Sequence, residues 1–382
     1  MKIAILTTDN REHHRRYDLD APIFGPAIEA LLQGLSARPE LEIHVVACTQ
    51  RPMSSPEKLA TNMWFHLLDV PKIGWLRTGY QGCVRALRSK LREIHPDLVH
   101  GQGTERECAL GAVFSGFPNV VTILGNMREV ARIMHARVGS YLWCAAKLES
   151  FALRRTDAVF CNSAYTEAVV RQLTPRTRRV PNALRGEFFE AAPPVVALGT
   201  RPTLLNIGAI LPYKRQNELL DVAERLHQQG HAFEFQFIGP VDRSAYAKKF
   251  LARIQTAKSA GYARYLGAKS LPELIGILDQ SAALVHSSAE ESFGLVVAEA
   301  LSRNLKFFGA NVGGVSDIAQ GVEGAELFAL GDDKALTEGI VRWLQRGSPR
   351  PESAAREMEL RYHPDVIARR HVELYQELID TI

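Results

Sequence analysis

What the 382-residue chain lacks narrows its class before any motif is read. No run approaches the ~18 uninterrupted apolar residues of a membrane span. The five cysteines, Cys48, Cys83, Cys108, Cys144 and Cys161, are scattered and form no C-x-x-C. Odd in number, they suggest neither a disulfide frame nor a zinc site; reduced, buried thiols in a cytoplasmic protein are expected. No His/Cys cluster points to a metal. Aromatics spaced for base stacking and a basic recognition helix are both missing, so nucleic acid is not an expected partner. The opening apolar run, MKIAILTTD, is too short for a signal peptide and reads as a first strand.

What is present is ordinary in bulk. The chain is 46% hydrophobic and 23% charged, the composition of a soluble globular protein. Its length suggests two domains. Charge is less even: residues 1–190 carry 25 Lys and Arg against 19 Asp and Glu, and residues 191–382 carry 21 against 23. A basic first half suits an anionic partner, such as an acidic acceptor or the inner membrane surface. A merely Arg-rich soluble face is the plainer account.

Apolar runs alternate with amphipathic stretches along both halves. Lys2 to Thr7 reads as a strand, Thr8 to Phe24 as a polar loop, and Gly25-Pro26 as the start of a helix with Pro26 at its first position. Strands are expected at 41–47, 97–101, 119–125 and 157–162. The basic cluster 171–179 reads as a solvated edge. A proline-rich stretch without period, 187–202, reads as a link. A second series has strands at 203–208, 233–239 and 264–267, with helices at about 217–229 and 243–259. Ser270, with Glu273 three residues later, forms a capping box at the start of another helix. An amphipathic helix closes the chain at 363–382. The expected architecture is α/β: two doubly wound, Rossmann-like domains at 1–185 and 203–362, joined by 186–202, with 363–382 returning to the first domain.

The most informative stretch is Ser281 to Arg303. Ala282 to His286 is short enough for a buried strand, Ser287-Ser288-Ala289 is a polar turn, and an apolar helix runs from about Leu295 to Leu301. Glu290 and Glu291 therefore sit where a strand end turns towards a helix start, the crevice where open α/β sheets bind ligands. Glu299 lies in the second helical turn among Val296, Val297, Ala298, Ala300 and Leu301, so it is not expected to be freely solvated. Two carboxylates about 10 Å apart along such an element reach opposite ends of a hydroxyl-rich ligand, at ~1.5 Å of rise per helical residue. Acids near a helix start are also common dipole complements.

The pattern E-x-F-G-L-V-V-x-E-A, Glu291 to Ala300, resembles the donor-sugar signature of the family-4 retaining glycosyltransferases of GT-B fold. Asn206 to Leu220 is similar to the family's G-R-L-x-x-x-K-G: Gly208 is kept, Lys214 matches the lysine, and Ala209 replaces the arginine. Arg215 offers a substitute charge. Gly25 stands where the family has Gly-Gly near the donor phosphates. PDLVHGQG resembles P-D-x-V-H-x-H, with His100 kept and Gln102 at the second histidine. NVVTILG resembles the strand ending T-x-H-G, with Leu124 at the histidine. VPNAL, Val180 to Leu184, resembles the hinge that closes the first domain. GQGTER lacks the third glycine of a dinucleotide loop.

The resemblance implies a nucleotide diphosphate sugar as co-substrate, bound by the second domain, and a glycan, lipid-linked or small-molecule acceptor approaching from the first. Transfer would proceed with retention through an oxocarbenium-like transition state, without a metal or other cofactor. Lys214 and the helix start at Gly294-Leu295 would stabilise the departing diphosphate. Glu291 would hold the donor sugar, Glu299 the ribose, with Phe293, Val296 and Ser270 completing the donor contacts. His100, Asn126 and Glu129 would face the acceptor, although His100 also reads as a packed strand-end histidine. Gly313 and Gly314 would let backbone approach a ligand. Asp18-Leu19-Asp20 has metal-site spacing but reads as a turn element. The rivals are a glycosidase, which also needs two carboxylates, a binding protein of the same shape without turnover, and a nucleotide-sugar epimerase.

Overall fold

The computed structural model describes residues 1–191, 193 and 201–381. They form two compact units: Met1–Gly186 with Tyr362–Ile382, and Glu187–Arg361. Parallel strands covered on both faces read as near-continuous apolar runs, and KIAIL, AVFC and ALVH are such runs.

In the first unit the described strands are β1 (Lys2–Leu6), β2 (Glu42–Thr49), β3 (Lys58–Ala60), β4 (Met63–Asp69), β5 (Leu98–Gln102), β6 (Asn119–Ile123), β7 (Ala158–Cys161) and β8 (Thr177–Arg179). Their order is β3-β4-β2-β1-β5-β6-β7-β8. All pairs are parallel except β3 with β4. Ile3, Ile5 and Val45 pack on one face, and Ala4, Leu6 and Val99 on the other. The order reverses direction between β1 and β5, so the loops leaving those strands diverge and open a crevice.

The C-terminal helix Pro364–Thr381 belongs to this unit and lies against the helix Pro26–Ser36. Contact is close: a Cβ on Gly34 would fall 2.3 Å from the Pro364 carbonyl oxygen. Tyr375 reaches into the sheet, its hydroxyl 2.6 Å from His100 Nδ1, while Thr122 Oγ1 lies 2.6 Å from Nε2. His100 is fully buried, and burial beside His371 holds it well below the ordinary imidazole range. This corrects the acceptor-side expectation for His100: it is a neutral core histidine tying the last helix to β5.

The second unit contains β9 (Thr203–Ile207), β10 (Glu234–Ile238), β11 (Ala263–Tyr265), β12 (Ala283–His286), β13 (Lys306–Ala310) and β14 (Ala325–Phe328). Their order, β11-β10-β9-β12-β13-β14, is the 3-2-1-4-5-6 of the Rossmann fold, with every described pair parallel. Phe235, Phe237, Phe250, Phe308 and Trp343 fill its core. The switch point lies between β9 and β12.

Some elements differ from expectation. The segment 171–179 is the exposed basic edge expected, with more order than a loop: Thr177–Arg179 pairs with β7 as the last strand, and Arg171 and Arg179 both bond Glu167, at 2.9 and 2.8 Å. The first residues of the expected link are built into the second unit, where Phe188 is buried and its carbonyl accepts from Arg303 Nη1 at 3.2 Å. Link residues 192 and 194–200, and residue 382, lie outside the described residues. The cysteines are free, and all but Cys144 are buried. Among the described residues no helix is long and apolar enough to cross a membrane.

Candidate active site

The carboxyl ends of β9 and β12 bring Lys214 and Glu291 together. After β9 the chain passes Gly208 and enters the short turn Pro212–Lys214. After β12 it forms the loop that carries Glu291. Two hydrogen bonds fasten these loops: the Ala289 N–H donates to the Tyr213 carbonyl at 2.6 Å, and Ser288 Oγ to the same oxygen at 3.3 Å. Lys214 Nζ consequently pairs with Glu291 Oε1. His286, the last residue of β12, places Nε2 2.7 Å from that oxygen. Burial opposes charge on Glu291, yet Lys214 and His286 outweigh it and hold the carboxyl down to about 2. Burial likewise opposes charge on Lys214, but Glu291 keeps its ammonium above the ordinary value. The site is a half-buried ion pair.

A third loop braces the second. Gly313 has φ +52, and a Cβ there would sit 1.8 Å from the Glu291 carbonyl oxygen. The Gly314 N–H donates to that oxygen at 2.9 Å. The close approach expected of these glycines is thus made to the Glu291 loop itself. Gly294, at φ +102, ends that loop and opens the helix Leu295–Leu301. Phe293 is buried beneath it, Leu295 and Val296 are half-buried, and Glu299 is buried at 7% exposure.

Other expected residues are placed apart from this pair. Arg215 adopts φ +58 and directs its guanidinium to Asp333, 3.5 Å away, so it does not join Lys214. Ser270 is exposed, and its N–H and Oγ lie 2.9 and 2.6 Å from Glu273 Oε2, the capping box read from sequence.

In the first unit, Gly25 caps the helix Pro26–Ser36 and lines a cavity of about 320 Å3 with Thr7, Gln102 and Leu124. Asn126 and Glu129 do not line that cavity: Asn126 is buried, 3.5 Å from Thr166 Oγ1, and Glu129 pairs with Arg132 at 2.8 Å. The loop 8–24 is pinned by fully buried Arg11, which pairs with Asp9 and donates to the carbonyls of Leu19, Asp20 and Ser54. Asp18 is exposed and paired with Arg16 at 3.1 Å.

His286 is the residue that the sequence reading missed. It looks like the end of an apolar strand; its only signal is a carboxylate five residues on, across a short turn.

Two doubly wound, mostly parallel units, with paired charges at the switch point of the second, have the architecture of a glycosyltransferase of GT-B fold. Comparison with known proteins agrees. The model for group 1 glycosyl transferases matches residues 189–358, and the model for glycosyltransferase family 4 matches residues 27–185. The chain belongs to the family-4 glycosyltransferases. Over 319 residues it is 24% identical to the phosphatidylinositol N-acetylglucosaminyltransferase GPI3 subunit of Saccharomyces cerevisiae, covering 72% of this chain and 69% of that one. A sucrose-phosphate synthase from Thermosynechococcus elongatus superposes with TM-score 0.79 at 17% identity, covering 100% of both chains. HepE from Anabaena, solved with UDP and glucose, superposes with TM-score 0.72 at 16% identity over 98% of this chain and 99% of that one. The two structural likenesses speak to the fold.

Proposed function

We infer that this glycosyltransferase takes its sugar from a nucleotide diphosphate sugar and transfers it, with retention and without a metal ion, to a hydroxyl-bearing acceptor. The observation that carries the reading is the half-buried Lys214–Glu291 pair at the β9/β12 switch point, with His286 on the same carboxylate. A diphosphate arriving there offers Lys214 a second anionic partner. As the glycosidic bond breaks, negative charge grows on the leaving diphosphate, and a cation already in a water-poor site stabilises it strongly. Glu291, still bonded to His286, is released to accept hydrogen bonds from sugar hydroxyls. Glu299 serves the ribose. The acceptor proton leaves with the departing phosphate, so no side-chain base is required.

The acceptor side belongs to the first unit. The yeast relative, a phosphatidylinositol N-acetylglucosaminyltransferase subunit, supports a lipid-linked acceptor. The basic first half fits work at the cytoplasmic face of a membrane.

The test is thermal-shift binding with UDP, GDP, ADP and their common sugar conjugates. At 100 times its Kd a ligand stabilises by ~2.7 kcal/mol. One nucleotide family should shift the wild type and leave Glu299→Ala unshifted; an equal shift in that variant sinks the site. Product formation should survive EDTA and keep the donor's anomeric configuration by NMR. Nucleotide binding with no turnover against any acceptor would favour the binding-protein reading, which Ala209 in place of the pattern's arginine supports.

A further inference from the structure

The helix that carries Glu299, Leu295–Leu301, has only seven residues. Two turns make too few internal hydrogen bonds to hold a helix in place, so its position is set by what grips its ends. One end leaves the braced Glu291 loop at Gly294. The other runs into the turn Ser302-Arg303-Asn304, where Ser302 Oγ donates to the Glu299 carbonyl at 2.7 Å. Arg303 is 2% exposed. Its Nε and Nη2 donate to the two carboxylate oxygens of Asp279 at 2.7 and 3.0 Å. Its Nη1 donates to the carbonyls of Phe188 and Ala191 at 3.2 and 2.6 Å.

A second guanidinium holds the same turn. Arg350 donates to the carbonyls of Asn304 and Asp279 at 3.0 and 2.9 Å, and to that of Arg303. Asp279 ends the helix Leu271–Asp279, so this second charge meets carbonyls at the ends of two helices, the negative pole of each. Asn304, at φ +55, accepts from the Ala355 N–H at 2.7 Å and donates to the Glu352 carbonyl at 3.2 Å. A buried ion pair is not by itself a source of stability, since apolar side chains often replace one without loss. What a bidentate arginine–carboxylate pair supplies is a fixed geometry. Here it fixes the end of the Glu299 helix against a neighbouring helix and against residues 188–191. A carboxylate that must meet two ligand hydroxyls has to be held within about 0.5 Å.

We propose that Arg303, locked by Asp279, is a positioning residue for the donor: it sets the register of the helix Leu295–Leu301 so that Glu299 meets the ribose hydroxyls. The assignment rests on the transferase reading above, in which Glu299 serves the ribose. Its effect is selective. Lys214, which meets the phosphates in that reading, stands on the loop after β9 and has no bond to the 302–304 turn among those described. Loosening Arg303 therefore weakens ligands that carry the ribose hydroxyls and spares those that lack them.

The experiment is isothermal titration calorimetry of the full chain with UDP, GDP and ADP, each beside its 2′,3′-dideoxy form. For the base that binds, the wild type should hold the ribose form about tenfold or more tighter than the dideoxy form. Glu299→Ala should bring the two affinities together. Arg303→Met should cut the preference to about threefold or less and leave the dideoxy affinity unchanged, which also certifies that the variant is folded. If Arg303→Met does not fold, Asp279→Asn decides, with an intermediate preference expected. A folded variant that keeps the wild-type preference, or that weakens both forms alike, would overturn the positioning role and leave the donor site standing. A wild type that binds none of the nucleotides would sink the transferase reading and this proposal with it. A wild type that binds both forms equally would remove Glu299 from the ribose, and Arg303 with it.

Discussion

The two switch points are wired in opposite ways. At β9/β12, cation and carboxylate satisfy one another, and burial is tolerated because charge is matched. At β1/β5, a carboxyl, that of Glu105, sits with its cations turned elsewhere and burial drives it towards its neutral form. The difference teaches what each site can accept. A matched pair costs little while it waits and exchanges partners when a charged ligand arrives. A carboxyl held in a site that disfavours its charge costs stability wherever the pH ionises it.

That contrast is broken most directly at Lys214. Lys214→Ala leaves the half-buried Glu291 with only His286 beside it, and chemical denaturation should show a loss of about 1–3 kcal/mol. The same change should cut kcat by ~10²–10³ and affect donor affinity less. A variant as stable as wild type would mean that the pair adds nothing to stability.

The pH dependence should differ in sign between the sites. Glu291 is depressed from 4.5 to about 2, so its stabilisation is complete above 4.5 and lost as pH falls towards 2. The stability gap between wild type and Glu291→Gln should close over that window. Glu105 is raised from 4.5 to about 7, so the folded state loses stability as pH rises from 4.5 to 7. Glu105→Gln should therefore stabilise the protein at pH 8 by about 1–3 kcal/mol and have no effect near pH 4. A destabilised Glu105→Gln at pH 8 would show that the backbone N–H groups reaching its carboxylate outweigh the cost of burial.

Smaller effects are expected away from the Lys214–Glu291 pair. Tyr375→Phe removes the hydroxyl on His100 and should cost about 1 kcal/mol without altering nucleotide shifts. Ser270→Ala loses the capping box and should cost about 1 kcal/mol or less. A large loss of nucleotide binding in Ser270→Ala would return that serine to the donor site.

The sequence made the repetitive parts legible. Alternating apolar runs and amphipathic stretches gave both sheets, because strands such as ALVH, buried on both faces, have no polar side to obscure them. β3 and β4 went unread because their half-exposed residues, such as Trp64 and His66, follow neither an apolar run nor a clean alternation. The Glu291 loop was legible from its local spacing, and Lys214 from its pattern. His286 was not, since its role depends on the loop folding back over the strand end. His100 was misplaced because the tyrosine that covers it lies 275 residues away. Glu105 was hidden inside GQGTER, where the missing glycine drew notice and the acid did not.

The return of the last helix to the first unit also sets an order of assembly on the ribosome. Domains fold as units, N-terminal first, as the chain emerges. Here residues 187–361 are all synthesised before Tyr375 can cover His100. The later-made unit can therefore reach its native core while the earlier-made one still awaits its final helix. During that interval the apolar face that the helix will cover, including Leu31, Leu35 and Phe160, is open to water and to chaperones.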